Sequence, residues 1–177
     1  MLFRSLDVPV EDIRRALENF NGVDRRFQLI GSAGGVTVID DYGHHPTEIR
    51  ATLAAARQCG FGKVHVIFQP HRYTRTQLLL EEFSTAFRDA DSVIVLDIYP
   101  ASEPPIPGIT GEMLANRITE VGGQEALYVS SFAEAVKLAA SAATSGDMIL
   151  TLGAGSVSHL GPQVLEELPN RATEPVG

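Results

Sequence analysis

Two short polar stretches carry the residue types that could do chemistry. Residues 40–46 read DDYGHHP and residues 69–76 read QPHRYTRT. In the first, Asp41, Tyr42 and His44 offer acceptors, a stacking face and an imidazole to a ligand lying in a crevice. A plainer alternative makes Asp40 and Asp41 turn residues and the histidines capping groups, with His45 at the cap of a helix opened by Pro46. The second stretch holds Arg72 and Arg75 and no acid, although the chain has 14 Lys+Arg against 22 Asp+Glu. Two guanidiniums beside a helix start, next to His71 and Tyr73, form a receptor for carboxylate or phosphate. The alternative there is a surface loop whose arginines pair with nearby acids.

A metal centre built from His44, His45, His71 and the Asp pair is disfavoured. Adjacent histidines at a helix cap seldom converge on one ion, and Arg72 and Arg75 oppose a dication. The motif GAGS at 153–156 lacks the third glycine of a dinucleotide fingerprint and reads as a tight strand-to-helix turn. Residues 97–109, DIYPASEPPIPGI, contain four of the ten prolines, so they form a stiff extended loop able to border a site. His65 and His159 read as core or surface histidines, and the lone Cys59 reads as structural.

These stretches need strands and helices to position them. The 177 residues, 44% hydrophobic and 20% charged, suit one soluble domain with a real core and no disulfide. A formal charge of -8 argues against broad nucleic-acid binding, and short apolar runs argue against a membrane span. A cytoplasmic protein is expected. Residues 8–20 place Val10, Ile13, Leu17 and Phe20 at helical spacing after Pro9. Residues 25–40 read as an antiparallel hairpin turning across Gly31–Gly35. Short apolar runs at 64–68, 92–96, 126–129 and 148–152 read as buried parallel strands. Helices start between them at Pro46, at a Thr74/Gln77 capping box and at a Ser131/Glu134 capping box. The alternation predicts a doubly wound, mainly parallel α/β sheet, Rossmann-like, with the N-terminal hairpin adding an antiparallel strand. Residues after Leu168 are expected to fray. Ligands in such sheets bind beyond the strands' carboxyl ends, where the polar stretches fall.

Taken together, GVDRRFQ (22–28), VIDDYGHHPTEI (38–49), FQPHRYTRT (68–76), DIYPASEPPIPGI (97–109) and LTLGAGSVS (150–158) resemble the Mur ligases. The likeness is greatest to the branch that joins L-alanine to UDP-N-acetylmuramate in peptidoglycan precursor synthesis. The resemblance implies an ATP-dependent amide-forming enzyme of three domains, of which this chain is similar to the third. A phosphate loop would need GxxxxGK[ST], whereas the sole GK, Gly62-Lys63, is followed by Val64 and has Arg57 at the first-glycine position. The resemblance makes residues 1–20 the last helix of the absent central ATPase domain and residues 21–177 the C-terminal domain.

In that family ATP phosphorylates the substrate carboxylate and the amino acid's amine attacks the acyl phosphate. The resemblance implies that Arg26 and Asp41 reach the nucleotide, with Asp41 at the ribose hydroxyls. Tyr42, His44, His71, Arg72 and Arg75 would line the L-alanine and UDP-N-acetylmuramate end, and Mg2+ would be held mainly by the central domain. The chain alone is then expected to be inactive. A murein-tripeptide recycling ligase is the near alternative, although those relatives tend to show Phe-Ala where Tyr42 and Gly43 stand. A free-standing nucleotide-binding module and a metal hydrolase are the readings from other classes.

Overall fold

The computed structural model describes residues 8–18 and 23–168. The predicted N-terminal helix is present as α1 (Val10–Glu18), while residues 1–7, residues 19–22 and the expected frayed tail lie outside the described residues. A hairpin of β1 (Gln28–Ala33) and β2 (Val36–Asp41) follows. Its turn is Gly34–Gly35, at φ +58° and +78°, the left-handed pair of a type I′ connection. The turn is therefore tighter than Gly31–Gly35. Gly31 lies inside β1 beside a register shift, and a Cβ there would come within 2.8 Å of Leu165 Cδ1. Its missing side chain serves helix packing.

The four apolar runs form the parallel strands β3 (Val64–Phe68), β4 (Ser92–Val95), β5 (Ala126–Tyr128) and β6 (Met148–Leu152). With the hairpin they make one sheet of order β1-β2-β6-β3-β4-β5, antiparallel only between β1 and β2. Every residue of β3 and β6 is buried, as expected of strands covered on both faces.

Connecting helices divide between the faces. Ile49 and Leu53 of α2 (Pro46–Gln58), Phe83 of α4 (Leu80–Ser84), Phe87, and Leu114 of α5 (Gly111–Arg117) pack in one core with Phe68 and Leu150. Val136 of α6 (Phe132–Ala142) and Val164 of α7 (Leu160–Glu167) pack in the other with Ile67 and Ile149. The doubly wound reading holds.

At the amino ends of the central strands, His65 is buried between Ser92 Oγ at 2.8 Å and Asp147 Oδ2 at 3.4 Å, a satisfied core histidine. At the carboxyl ends, the segments after β2, β3, β4 and β6 meet on one rim. No helix of the described residues is long and apolar enough to cross a membrane.

Candidate functional site

The two adjacent aspartates at the end of β2 point to different tasks. Asp40, 1% exposed, receives Arg25 Nε at 2.9 Å and Thr151 Oγ1 at 2.6 Å. Asp41 accepts from Phe27 N at 2.8 Å, Gly43 N at 2.7 Å and Thr52 Oγ1 at 3.3 Å. Both carboxylates are thus engaged by protein donors, and Asp41 shapes the turn that presents Tyr42 and His44. Gly43 must be small here, because a Cβ would stand 2.8 Å from Asp41 Oδ1.

Arg25, which the sequence reading did not single out, holds this corner. Its guanidinium also donates to Gly153 O and lies 5.0 Å from the Tyr42 ring centroid. Arg26 is the looser neighbour: its side chain is 53% exposed, 3.9 Å from Glu48 and 5.8 Å from the same ring centroid. Nothing in the dipeptide Arg25-Arg26 signals which guanidinium turns inward. The left-handed φ of +59° at Arg25 belongs to the folded turn.

His45 occupies the N-cap of α2, its Nδ1 accepting from Thr47 N at 3.3 Å. Glu48 completes the cap by accepting from His44 N and His45 N at 3.0 and 3.1 Å. Burial favours the neutral form of Glu48, but those two N–H bonds, with the charges of His44 and Arg26, hold its pKa below the ordinary value. His44, freed from capping, donates Nδ1–H to Tyr42 O at 3.0 Å.

From Tyr42 a row of rings runs across the rim. Tyr42 and His44 meet edge-on at 5.2 Å, His44 and His71 lie 5.6 Å apart, and His71 stacks on Tyr99 at 5.4 Å with 15° between planes. Arg75 Nη1 donates to His71 Nδ1 at 3.3 Å. Burial and the positive charges of Arg75, His44 and Arg72 push the His71 pKa down, against the opposing charge of Glu103. His71 is therefore neutral with Nε2–H as its donor. The Arg72 guanidinium is exposed and makes no hydrogen bond or ion pair among the described residues.

The structure thus brings Tyr42, His44, His71 and Arg75 together, with Arg72 beside them and Arg26 on the far side of Tyr42. The Pro-rich loop does border the site: Tyr99 N bonds Pro70 O and Arg72 N bonds Tyr99 O, both at 2.8 Å. GAGS is the tight turn expected, leading into a 3-10 turn over Ser156–His159. The expected Thr74/Gln77 capping box is absent. α3 (Tyr73–Leu78) instead starts at Arg72, with φ +74° and no side-chain cap, which puts Thr74 inside the first turn. Glu103 takes its place, accepting from Thr74 N at 3.1 Å and Thr74 Oγ1 at 2.7 Å. The helix end therefore carries its own carboxylate. Among the described residues no three His, Cys, Asp or Glu side chains gather as a metal-binding group.

Residues 25–155 match the family described as Mur ligase, glutamate ligase domain. The chain belongs to the Mur ligase family. It is that family's C-terminal domain. A UDP-N-acetylmuramate–L-alanine ligase of Koribacter versatilis is 66% identical over 163 residues, 92% of this chain and 35% of the relative. The crystal structure of UDP-N-acetylmuramate-alanine ligase MurC from Thermotoga maritima matches with TM-score 0.75 at 32% identity, over 93% of this chain and 34% of that one. A murein peptide ligase from Psychrobacter arcticus, 22% identical, shares the fold with TM-score 0.69, over 96% of this chain and 35% of that one. The Mur ligase domain described here spans about a third of the length of the relatives it matches.

Proposed function

We propose that this domain holds and orients substrate in an ATP-dependent ligase that joins L-alanine to UDP-N-acetylmuramate in the cytoplasm. The observation that carries the reading is the packing of His71 and Arg75 beside Tyr42, His44 and Arg72 in a chain 66% identical to a UDP-N-acetylmuramate–L-alanine ligase. Arg72 and Arg75 hold the alanine carboxylate and the anionic oxygens that develop during acyl transfer. His71 supplies an N–H donor, and His44, whose Nδ1–H is taken by Tyr42 O, turns Nε2 to the ligand. Tyr42 packs edge-on with His44, which in turn neighbours His71. Such a site works by orientation and charge stabilisation.

ATP supplies the phosphoryl group that activates the sugar's carboxylate, with Mg2+ held mainly by the central domain. Arg26 suits the nucleotide, being exposed and only loosely tied to Glu48. Asp41 already accepts three hydrogen bonds, so its contribution to the nucleotide is the shape of the turn and one remaining acceptor position for a ribose hydroxyl. Residues 1–20 belong to the central domain in this reading, which is supported by Val10 of α1 standing 79% exposed.

The test joins this chain to the remaining two thirds of the Koribacter versatilis relative. Phosphate release is expected with ATP, UDP-N-acetylmuramate and L-alanine, and none from the chain alone. Release with a murein tripeptide and not with L-alanine would assign the recycling reaction, and a folded chimera silent with both would reject the ligase reading.

A further inference from the structure

The Pro-rich loop after β4 does more than edge the site. Glu103 N bonds Pro100 O at 3.0 Å, closing a turn whose two central residues, Ala101 and Ser102, stand at φ +47° and +70°. Those are the left-handed angles of a type I′ turn, which glycine and asparagine normally fill. Conformations of that kind persist where surrounding contacts over-determine them, and they collect at functional sites. All five non-glycine residues with positive φ among the described residues lie on this rim: Arg25, Phe27, Arg72, Ala101 and Ser102.

The strained turn delivers one side chain to one place. The Glu103 carboxylate takes both the amide and the hydroxyl of Thr74, between the two arginines. Four residues before Glu103, on the loop's other strap, Tyr99 receives Arg72 N on its carbonyl and stacks on His71. A helix of six residues cannot sustain itself, and α3 has no side-chain cap of its own.

We propose that Glu103 is a positioning residue, which fixes the first turn of α3 and so sets where the Arg72 and Arg75 guanidiniums stand. The Thr74 bonds hold the Glu103 pKa below its ordinary value, so the clamp is anionic at neutral pH. The charge also balances part of the local excess from Arg72 and Arg75 without binding either. This assignment rests on the reading that the two arginines serve the ligand.

The experiment has two arms. In the 177-residue chain, Glu103→Ala and Thr74→Val should each speed hydrogen exchange at the Thr76 and Leu79 amides, which bond Arg72 O and Arg75 O, by about fivefold, the usual effect of losing a helix cap. The Nε resonances of Arg72 and Arg75 should shift with them, and the melting temperature should fall by about 2–4 °C. The double variant should do no more than Glu103→Ala, because that change already removes both the amide bond and the hydroxyl bond, and Thr74→Val removes only the second. Glu103→Gln, which keeps an acceptor and loses the charge, should fall between. In the chimeric ligase, Glu103→Ala should raise KM for L-alanine by about tenfold with a smaller change in kcat, the pattern of weakened binding geometry.

Unchanged exchange and unchanged arginine resonances in Glu103→Ala would overturn the assignment, as would full additivity in the double variant. So would unaltered kinetics in Glu103→Ala while Arg75→Ala is impaired. If Arg75→Ala itself leaves the chimera's kinetics intact, the ligand reading fails, while the exchange data still decide whether Glu103 sets the helix.

Discussion

Arg75 lies four residues beyond His71 and donates to its Nδ1 at 3.3 Å, so a guanidinium sets the tautomer of an imidazole. Burial and then this contact keep His71 neutral, because a protonated ring would lose solvation and face the Arg75 charge at close range. A proposed ligand anchor and a proposed hydrogen-bond donor are therefore one unit. The unit spans the start of α3: His71 lies before the helix in a bridge to Tyr99, and Arg75 reaches back to it from inside the helix.

Changing Arg75 to Ala should raise the His71 pKa as read by an NMR titration of the ring. It should remain below the ordinary value, because burial, the largest cause of the depression, survives the change. The domain's stability should move by no more than about 0.5 kcal/mol, as for most surface substitutions. In the chimeric ligase the same change should cost about ten- to a hundredfold in binding or rate, the usual loss of a charge-assisted bond to a carboxylate. Arg75→Lys keeps the charge and loses the fork, so full rescue would point to a point charge instead of bidentate recognition.

Arg25→Ala should be more damaging to the fold than any substitution at the exposed Arg26. It leaves the buried Asp40 carboxylate with Thr151 alone and removes the cation beneath Tyr42. Breaking a buried pair on one side costs about 3 kcal/mol, to be read as a lower denaturation midpoint by circular dichroism. Adding Asp40→Asn should recover part of that loss, since no buried charge is then left unpaired. If the single variant melts like the parent, Arg25 does not hold this corner.

The parallel strands were legible because four apolar runs of strand length leave few alternatives, and the rim was legible because polar clusters follow each run. Contacts that depend on which side chain turns inward were not. Arg25 and Arg26 are identical in type, and only the folded turn gives Arg25 to Asp40. Gly31 looked like part of a turn because glycine both turns chains and admits close packing, and Leu165, over a hundred residues away, decides for packing. Thr74 matched a capping box by spacing, yet a carboxylate from another loop took both its polar groups. Such partners are distant in sequence and leave no local periodicity to read.

Asp147 provides a test of the fold's foundation at the end opposite the site. Its carboxylate accepts from Lys63 N, Thr144 N and Thr144 Oγ1, each at 2.8 Å, and touches His65, so it ties the starts of β3 and β6. Burial alone would raise its pKa, but the Thr144 and Lys63 bonds and the His65 contact outweigh that and hold it below the ordinary value. A carboxylate with a depressed folded-state pKa stabilises the protein fully above the unfolded-state value and loses that contribution as pH falls through the folded-state value. Asp147→Ala should therefore cost about 3 kcal/mol near neutrality, from buried donors left without an acceptor. The gap between variant and parent, measured by urea unfolding, should stay constant from about pH 5 to pH 8 and narrow below about pH 4, where Asp147 of the unfolded parent starts to protonate ahead of the folded one. A gap that widened as the solution became more acidic would mean that Asp147 is not the anionic tie described.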